Sequence, residues 1–323
     1  MTLPYVPRLI CLLAVVVGLI HVAMQIVLAM NAPLILRLLR SATARQCERA
    51  LYLIQVGPFT VALLFAVGIC LPEYVLHEPA SGSEDVSRIC IFLSSAVLLW
   101  FGVSGFKGLR IAVRTVRFVR ACRVAGQPSG LSHAGIPVIS VPHRGHLIAL
   151  VGFVNPVILV SRNLIGPDGL GEAAVQMALD HEGSHAVCKD NWKLLSLGFL
   201  PRLSCGVRGG TWFRHWQIAA ECAADDEAVR DDPARRLLLA EALVRFARSA
   251  EPFDLPVIHT ALSCRNEWLF TRVNRLIGSP VYPSASHRSV LPVWIGLTAG
   301  LLSAAIAIMP WIYRVSERIL HLG

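Results

Sequence analysis

Residues 181–185 read His-Glu-Gly-Ser-His. In a helix, positions i and i+4 share a face, so the imidazoles of His181 and His185 can reach one metal ion. Glu182 stands beside them, where it can hold a metal-bound water and take its proton. A chain of this composition contains the H-E-x-x-H pattern by chance about one time in a hundred. The string therefore needs a helix around it and a further ligand. A catalytic zinc takes three protein ligands and keeps one position for water. The third ligand expected is Glu221, in Glu221-Cys-Ala-Ala-Asp225. Asp225, four residues on, shares its face and can accept the far N–H of a ligating histidine, fixing the tautomer. The run Asp225-Asp226-Glu227 could instead be a solvated acidic face, but only one of the three can point with Glu221. His215 lies six residues before Glu221 and turns to another face. It could approach a substrate carbonyl, although a partly buried structural histidine beside tryptophan is the preferred reading. Cys188 and Cys222 belong to no C-x-x-C pair and read as small packing residues.

The elements that must carry these groups are legible in outline. Ala174, Met177 and Ala178 repeat at helical spacing and no proline interrupts the stretch through Leu200, so a helix is expected around the motif. Gly183 within it costs about 1 kcal/mol relative to alanine; room near the metal and tight helix packing explain it equally well. A second helix is expected over 212–229, where Ala219, Ala220, Ala223 and Ala224 allow close approach to the first. The runs 136–141, 146–153 and 157–160 are apolar or β-branched between Pro and Gly, and read as strands. A strand beside the metal helix could pair with an extended peptide, or merely shelter the helix. From Thr211 the chain is expected to be helical to about Gly278, interrupted near Pro252 and Pro256.

Composition sets the environment. Of 323 residues, 54% are hydrophobic and 16% charged, too apolar for an ordinary soluble domain. Four stretches are long enough to span a bilayer, which takes about 20 residues: residues 10–30, 50–71, 89–106 and 290–312. The first is expected to be a retained anchor, because its apolar run is too long for a signal peptide and no small-residue cleavage site follows. The net charge of +9 is unevenly placed. Arg37, Arg40, Arg45 and Arg49 follow the first span, Glu73, Glu78, Glu84 and Asp85 the second, and Lys107, Arg110, Arg114, Arg117, Arg120 and Arg123 the third. An excess of basic residues marks the cytoplasmic side. This places both termini and the 72–88 loop outside, with about 107–288 in the cytoplasm. The expected organisation is three transmembrane helices in 1–106, a basic juxtamembrane segment in 107–134, a cytoplasmic domain in 135–288, and a fourth span with a short outer tail in 289–323. The segment 107–123 suits anionic headgroups, so the lipid bilayer accounts for the basic charge and no direct nucleic-acid contact is expected. Trp294 and Trp311 bracket the fourth span like interfacial anchors. Cys70 and Cys90 fall at the outer ends of adjacent spans, and a disulfide between them is a hypothesis.

Several pieces resemble, in order, the membrane zinc peptidases of the beta-lactam sensor-transducers (BlaR/MecR type). Gly152-Phe-Val-Asn-Pro156-Val-Ile-Leu-Val160 is similar to that family's strand before the active helix. His181–His185 followed by Lys189-Asp190-Asn191 is similar to its metal helix. Glu221–Val229 is similar to its second metal segment, and Leu269-Phe-Thr-Arg272-Val-Asn-Arg275-Leu276 to its closing helix. The resemblance implies a mainly α membrane protein carrying an α+β zincin-type (gluzincin-like) metallopeptidase domain in the inner membrane. It implies one Zn2+ per chain on His181, His185 and Glu221, with Glu182 as base. It also implies a zinc-dependent endopeptidase acting on a protein or peptide substrate, such as a transcriptional repressor, or on itself. Only residues 313–323 follow the fourth span, so an outer penicillin-binding sensor is not expected, and the Ser-x-x-Lys string at Ser104–Lys107 reads as chance.

Two other functions fit the same residues. The prenyl-protein and stress-type membrane zinc proteases of protein quality control also pair H-E-x-x-H with a later E-x-x-A-D. A zinc-stabilised, non-catalytic signalling adaptor would need the metal but not Glu182. In a peptidase, Arg272 or His215 could contact substrate or stabilise the oxyanion. Substrate, trigger and association into a homo-oligomer are left open by the sequence.

Overall fold

The computed structural model describes residues 2–78, 84–143, 145–165, 171–201, 211–248, 257–261 and 266–278. The expected fourth span, with Trp294 and Trp311, and the interruptions near Pro252 and Pro256 lie outside the described residues. The chain is mostly helical with one small mixed sheet. It opens with β1 (Thr2–Leu3), α1 (Tyr5–Met30), α2 (Ala32–Leu39) and α3 (Ala44–Phe65). A π-helical stretch (Ala66–Cys70) continues α3 into α4 (Leu71–His77), after which β2 (Glu84–Asp85) pairs with β1 and α5 (Arg88–Ala125) begins. Then come β3 (Gln127–His133), β4 (Ile136–Val141), β5 (Ile148–Val151), β6 (Val157–Ser161) and the short α6 (Arg162–Ile165). The helices α7 (Glu172–Val187), α8 (Asp190–Phe199), α9 (Thr211–Val229) and α10 (Pro233–Arg248) follow, then β7 (His259–Ala261) and α11 (Asn266–Ile277).

Three helical stretches are long and apolar enough to cross a membrane: Tyr5–Met30, Ala44–His77 and Arg88–Val124. Each begins with or before the span expected from hydropathy and all but the first run past its end. Local chemistry sets two of the starts. Thr43 and Gln46 form a reciprocal capping box at α3, and the Ser87 hydroxyl accepts from the Cys90 N–H at α5. The third helix does not stop where its charges begin. It runs unbroken through the basic segment to Ala125, because alternating Arg and apolar residues are compatible with a helix whose one side is covered. That covering is the sheet: Val119, Phe118 and Cys122 pack on Ile139, Ala149, Val151 and Leu159. Lys107, Arg110, Arg114 and Arg117 stay exposed. The proposed Cys70–Cys90 disulfide is not formed, since both thiols are free. Cys90 packs with Cys11, Val15 and Val86, whereas Cys70 lies in a different cluster with Val16 and Ile20.

The sheet order is β3-β4-β6-β5-β7. β4 and β6 run parallel, and the other pairs are antiparallel. Strands β5 and β6 are buried on both faces, which matches their unbroken apolar runs. On the face opposite α5, Ile148, Leu150, Ile158 and Val160 meet Val175, Ala178 and Leu179 of α7, with Leu239 and Leu243 of α10 behind. Two strands escape the hydropathy reading. β3 is polar and glycine-containing, and β7 is a three-residue edge strand just after the interruption expected near Pro252 and Pro256, where helix was expected to resume. The motif helix is also shorter than expected. It ends at Val187, Lys189 adopts a left-handed conformation (φ 56°), and α8 starts afresh at Asp190. Along α9, Trp212, Trp216 and Ala219 pack on Cys47, Ala50, Leu51 and Ile54 of α3. The second metal-segment helix therefore rests directly on a membrane-capable one.

Candidate metal centre

Helices α7 and α9 bring His181, His185 and Glu221 together, a group able to hold a metal ion. The two Nε2 atoms are 3.2 Å apart. Glu221 places Oε2 3.4 Å from His181 Nε2 and Oε1 3.6 Å from His185 Nε2. Ligand atoms at 2.0–2.2 Å from a tetrahedral ion lie about 3.3–3.6 Å from one another; the separations here are of that order when each histidine is taken to its own Glu221 oxygen, and one donor atom from each residue lies within 4.8 Å of the others. Both histidines are buried, and the Glu221 side chain is 14% exposed.

Each histidine has its own carboxylate behind it. His181 Nδ1 lies 3.0 Å from Asp225 Oδ1, and His185 Nδ1 lies 2.7 Å from Asp190 Oδ2. These contacts leave each Nε2 facing the other ligands. Asp225 is fixed in turn by Arg272, whose Nε and Nη2 donate to its two oxygens at 2.8 and 2.6 Å. Arg272 also sets Nη1 2.8 Å from Glu221 Oε2. Without metal, burial alone would lower the pKa of His181, but the Asp225 and Glu221 carboxylates outweigh it and raise it to about 9. Burial opposes ionisation of Asp225 and Glu221 as well. Arg272 and the histidines prevail and hold both below the ordinary carboxylate values.

Glu182 points to the sheet side. Its Oε2 accepts from the Leu150 N–H at 3.0 Å and the Thr260 hydroxyl at 3.3 Å, while Oε1 is buried with no hydrogen-bond partner among the described residues. Burial raises its pKa, partly offset by His185 and His181. The strand edge beside Glu182 is occupied by β7, with Thr260 opposite Leu150. The Asn191 amide donates to the carbonyls of Leu150 and Gly152 at 3.1 and 2.8 Å, which joins the end of β5 to α8.

Gly183 has a packing explanation. A Cβ there would come within 2.3 Å of Nε2 at the tip of the His133 side chain of β3, so that ring must shift to admit any larger residue. Arg272 is buried and engaged with Asp225 and Glu221. His215 is half-buried, and among the described residues no hydrogen bond or ion pair joins it to the cluster; burial lowers its pKa. Cys222 is buried against Ala44 and Ala223, as a packing residue. Sequence reasoning quoted Asp190 and Asn191 only within the family-like string and Arg45 only as a basic residue after the first span, and it did not single out Lys193, Thr260 or Glu48. The one signal for Glu48 was a lone carboxylate at the lip of an apolar span, where an unpaired charge is costly.

The fold and the cluster define an α-rich chain with membrane-capable helices and a buried His–His–Glu group suited to a metal ion. The chain matches no protein-family model and no curated protein.

Proposed function

We propose that the chain is a membrane-bound zinc endopeptidase related to the BlaR/MecR-type sensor-transducer peptidases, cutting a cytoplasmic protein substrate or itself. The observation that carries this reading is the state of Glu182. Its carboxylate is anchored through one oxygen by the Leu150 N–H and Thr260, while the other is buried and unpartnered beside a donor set of zinc dimensions. A purely structural site closes with four ligands and has no use for such a base.

His181, His185 and Glu221 would hold the zinc, which would supply a water activated toward neutral pH and a Lewis acid for the scissile carbonyl. Glu182 Oε1 takes the proton and returns it to the leaving amine. Asp225 and Asp190 keep both imidazoles in the ligating tautomer. Arg272 neutralises Asp225 and Glu221, which is compatible with a fixed ligand geometry and leaves little of its charge for an oxyanion. An extended peptide lying along β5 would pass Glu182. The chain's own β7 already takes that path, which makes the neighbourhood of His259–Ala261 a candidate for self-cleavage.

The basic residues after the first and third apolar helices favour a cytoplasmic site and an outer N-terminus. The decisive experiment compares cells expressing the native chain and Glu182→Gln by terminal-fragment proteomics. Fragments that vanish with the substitution identify the substrate. An unchanged fragment pattern, with Zn2+ bound equally by both proteins, favours the zinc-stabilised adaptor.

A further inference from the structure

The carboxylate behind His185 is itself held by a chain of buried polar contacts that leaves the metal site and ends on a membrane-capable helix. Asp190 Oδ1 accepts from Lys193 Nζ at 2.8 Å, and the same ammonium donates to Glu48 Oε1 of α3 at 2.8 Å. Glu48 is fully buried, and its Oε1 also accepts from the Trp216 indole N–H of α9 at 3.0 Å. One carboxylate on α3 thus touches both limbs of the site: α8, which carries Asp190, and α9, which carries Glu221. Arg45, one turn earlier on α3, donates to the Ser184 hydroxyl of α7 at 3.2 Å, directly before His185. Burial alone would lower the Lys193 pKa, but the two carboxylates outweigh it, so the ammonium stays charged between them. A surface helix needs no such arrangement. Two buried carboxylates bridged by a partly buried ammonium are costly to assemble and are strongly oriented once assembled.

We propose that Glu48 is a positioning residue for the metal site, acting through Lys193 and Asp190 to set the orientation of His185, so that the geometry of the site is coupled to the position of α3. The inference rests on the metal-site reading above. It makes the metal affinity of the site depend on a side chain at the end of a membrane-capable helix that never touches the ion. A displacement of α3 along its axis would pull Lys193 from Asp190 and loosen His185, which gives a membrane event a physical route to the cluster.

The test is a Co2+ titration of the metal-stripped full-length protein in lipid nanodiscs, read by competition with a chromophoric chelator and by the visible d–d absorption of the bound ion. Glu48→Gln is expected to weaken Co2+ binding about tenfold, the lower end of what loss of an outer-shell partner does, and to alter the d–d band. In an Asp190→Asn background the same substitution should change affinity less than about twofold, because the path is already cut. Should Glu48→Gln fold poorly, the pair Glu48→Gln/Lys193→Met removes one charge of each sign, leaves Asp190 with His185 alone, and should show at least the same tenfold loss. Lys193→Arg, which keeps both donors, should restore most of the affinity lost in Lys193→Met. Tyr52→Phe serves as the structural control. The Tyr52 hydroxyl bonds Ser196 at 2.9 Å across the same two helices without involving Asp190, so its loss should leave the titration unchanged. A Glu48→Gln protein with native affinity and spectrum overturns the inference, as does a Tyr52→Phe protein equally weakened, or full additivity with Asp190→Asn. Loss of binding in His185→Ala alongside native binding in Glu48→Gln would overturn it and leave the metal-site reading standing. A native protein that takes up no Co2+ would overturn both.

Discussion

The two histidines of the candidate metal group are each backed by a carboxylate, His185 through a hydrogen bond and His181 through a 3.0 Å ion-pair contact, and the two carboxylates are anchored in different places. On the His181 side, Asp225 is clamped by Arg272, and all three residues lie on α7, α9 and α11. On the His185 side, Asp190 is held by Lys193, and Lys193 by Glu48 of α3. The side chains of the first branch close on one another, although their helix α9 also packs on α3; the polar contacts of the second run directly to Glu48 of α3. The guanidinium clamp has a planar, two-pronged fit to its carboxylate, whereas the ammonium is a point charge shared between two carboxylates. Rigidity is therefore expected on the His181 side and adjustability on the His185 side.

The largest expected effect comes from cutting the rigid side. Arg272→Met strands the fully buried Asp225 and leaves Glu221 without its closest counter-charge, and should destabilise the protein by about 3–5 kcal/mol. Lys193→Met should be milder, about 1–3 kcal/mol, because the Lys193 side chain is 18% exposed and Glu48 retains Trp216 and, at 3.8 Å, Arg45. Urea unfolding in one detergent would measure both; equal losses would break the contrast between clamp and relay.

Gly183→Ala tests the packing of the motif helix itself, between the two branches. The added methyl would meet the His133 ring, and over-packing of this kind costs about 1–3 kcal/mol. In a His133→Ala background the clash is gone and the same change should be neutral or stabilising by up to about 1 kcal/mol, since alanine is the better helix former. Thermal melting of the four proteins decides between strand contact and metal clearance. If His133→Ala does not relieve Gly183→Ala, the glycine serves the metal face after all.

The His181 side was legible in the sequence, and most of the His185 side was not. His181, His185, Glu221 and Asp225 lie within single helices at helical spacing, so a periodicity of 3.6 residues nearly suffices to place them. Asp190 sits beyond the end of that helix, and its approach to His185 depends on the left-handed turn at Lys189, which lysine does not advertise. Glu48 and Lys193 meet across 145 residues of sequence. No local pattern records such a contact; only the packing of α3 against α8 and α9 creates it. The sheet shows the same division. β4, β5 and β6 announce themselves by apolar runs, whereas β3 and β7 are polar segments made into strands by the partners they find.

The smallest effect concerns His215, which spacing turns to a different face from Glu221 and which, among the described residues, makes no hydrogen bond or ion pair with either branch. Burial lowers its pKa below the ordinary value of 6.5. The sign follows directly. Below 6.5 the unfolded chain binds a proton that the folded chain resists, so the contribution of His215 disfavours folding as pH falls through that window and disappears above it. Half-burial limits the effect to less than about 1 kcal/mol. Comparing melting temperatures at pH 5.5 and 7.5, a His215→Gln variant should lose slightly less stability on acidification than the native chain. Its Co2+ affinity should equal the native value, because neither orienting carboxylate nor any ligand contacts this ring among the described residues. A weakened affinity in His215→Gln would add a third support to the cluster, on α9 itself, and the division into one closed and one membrane-tied branch would no longer hold.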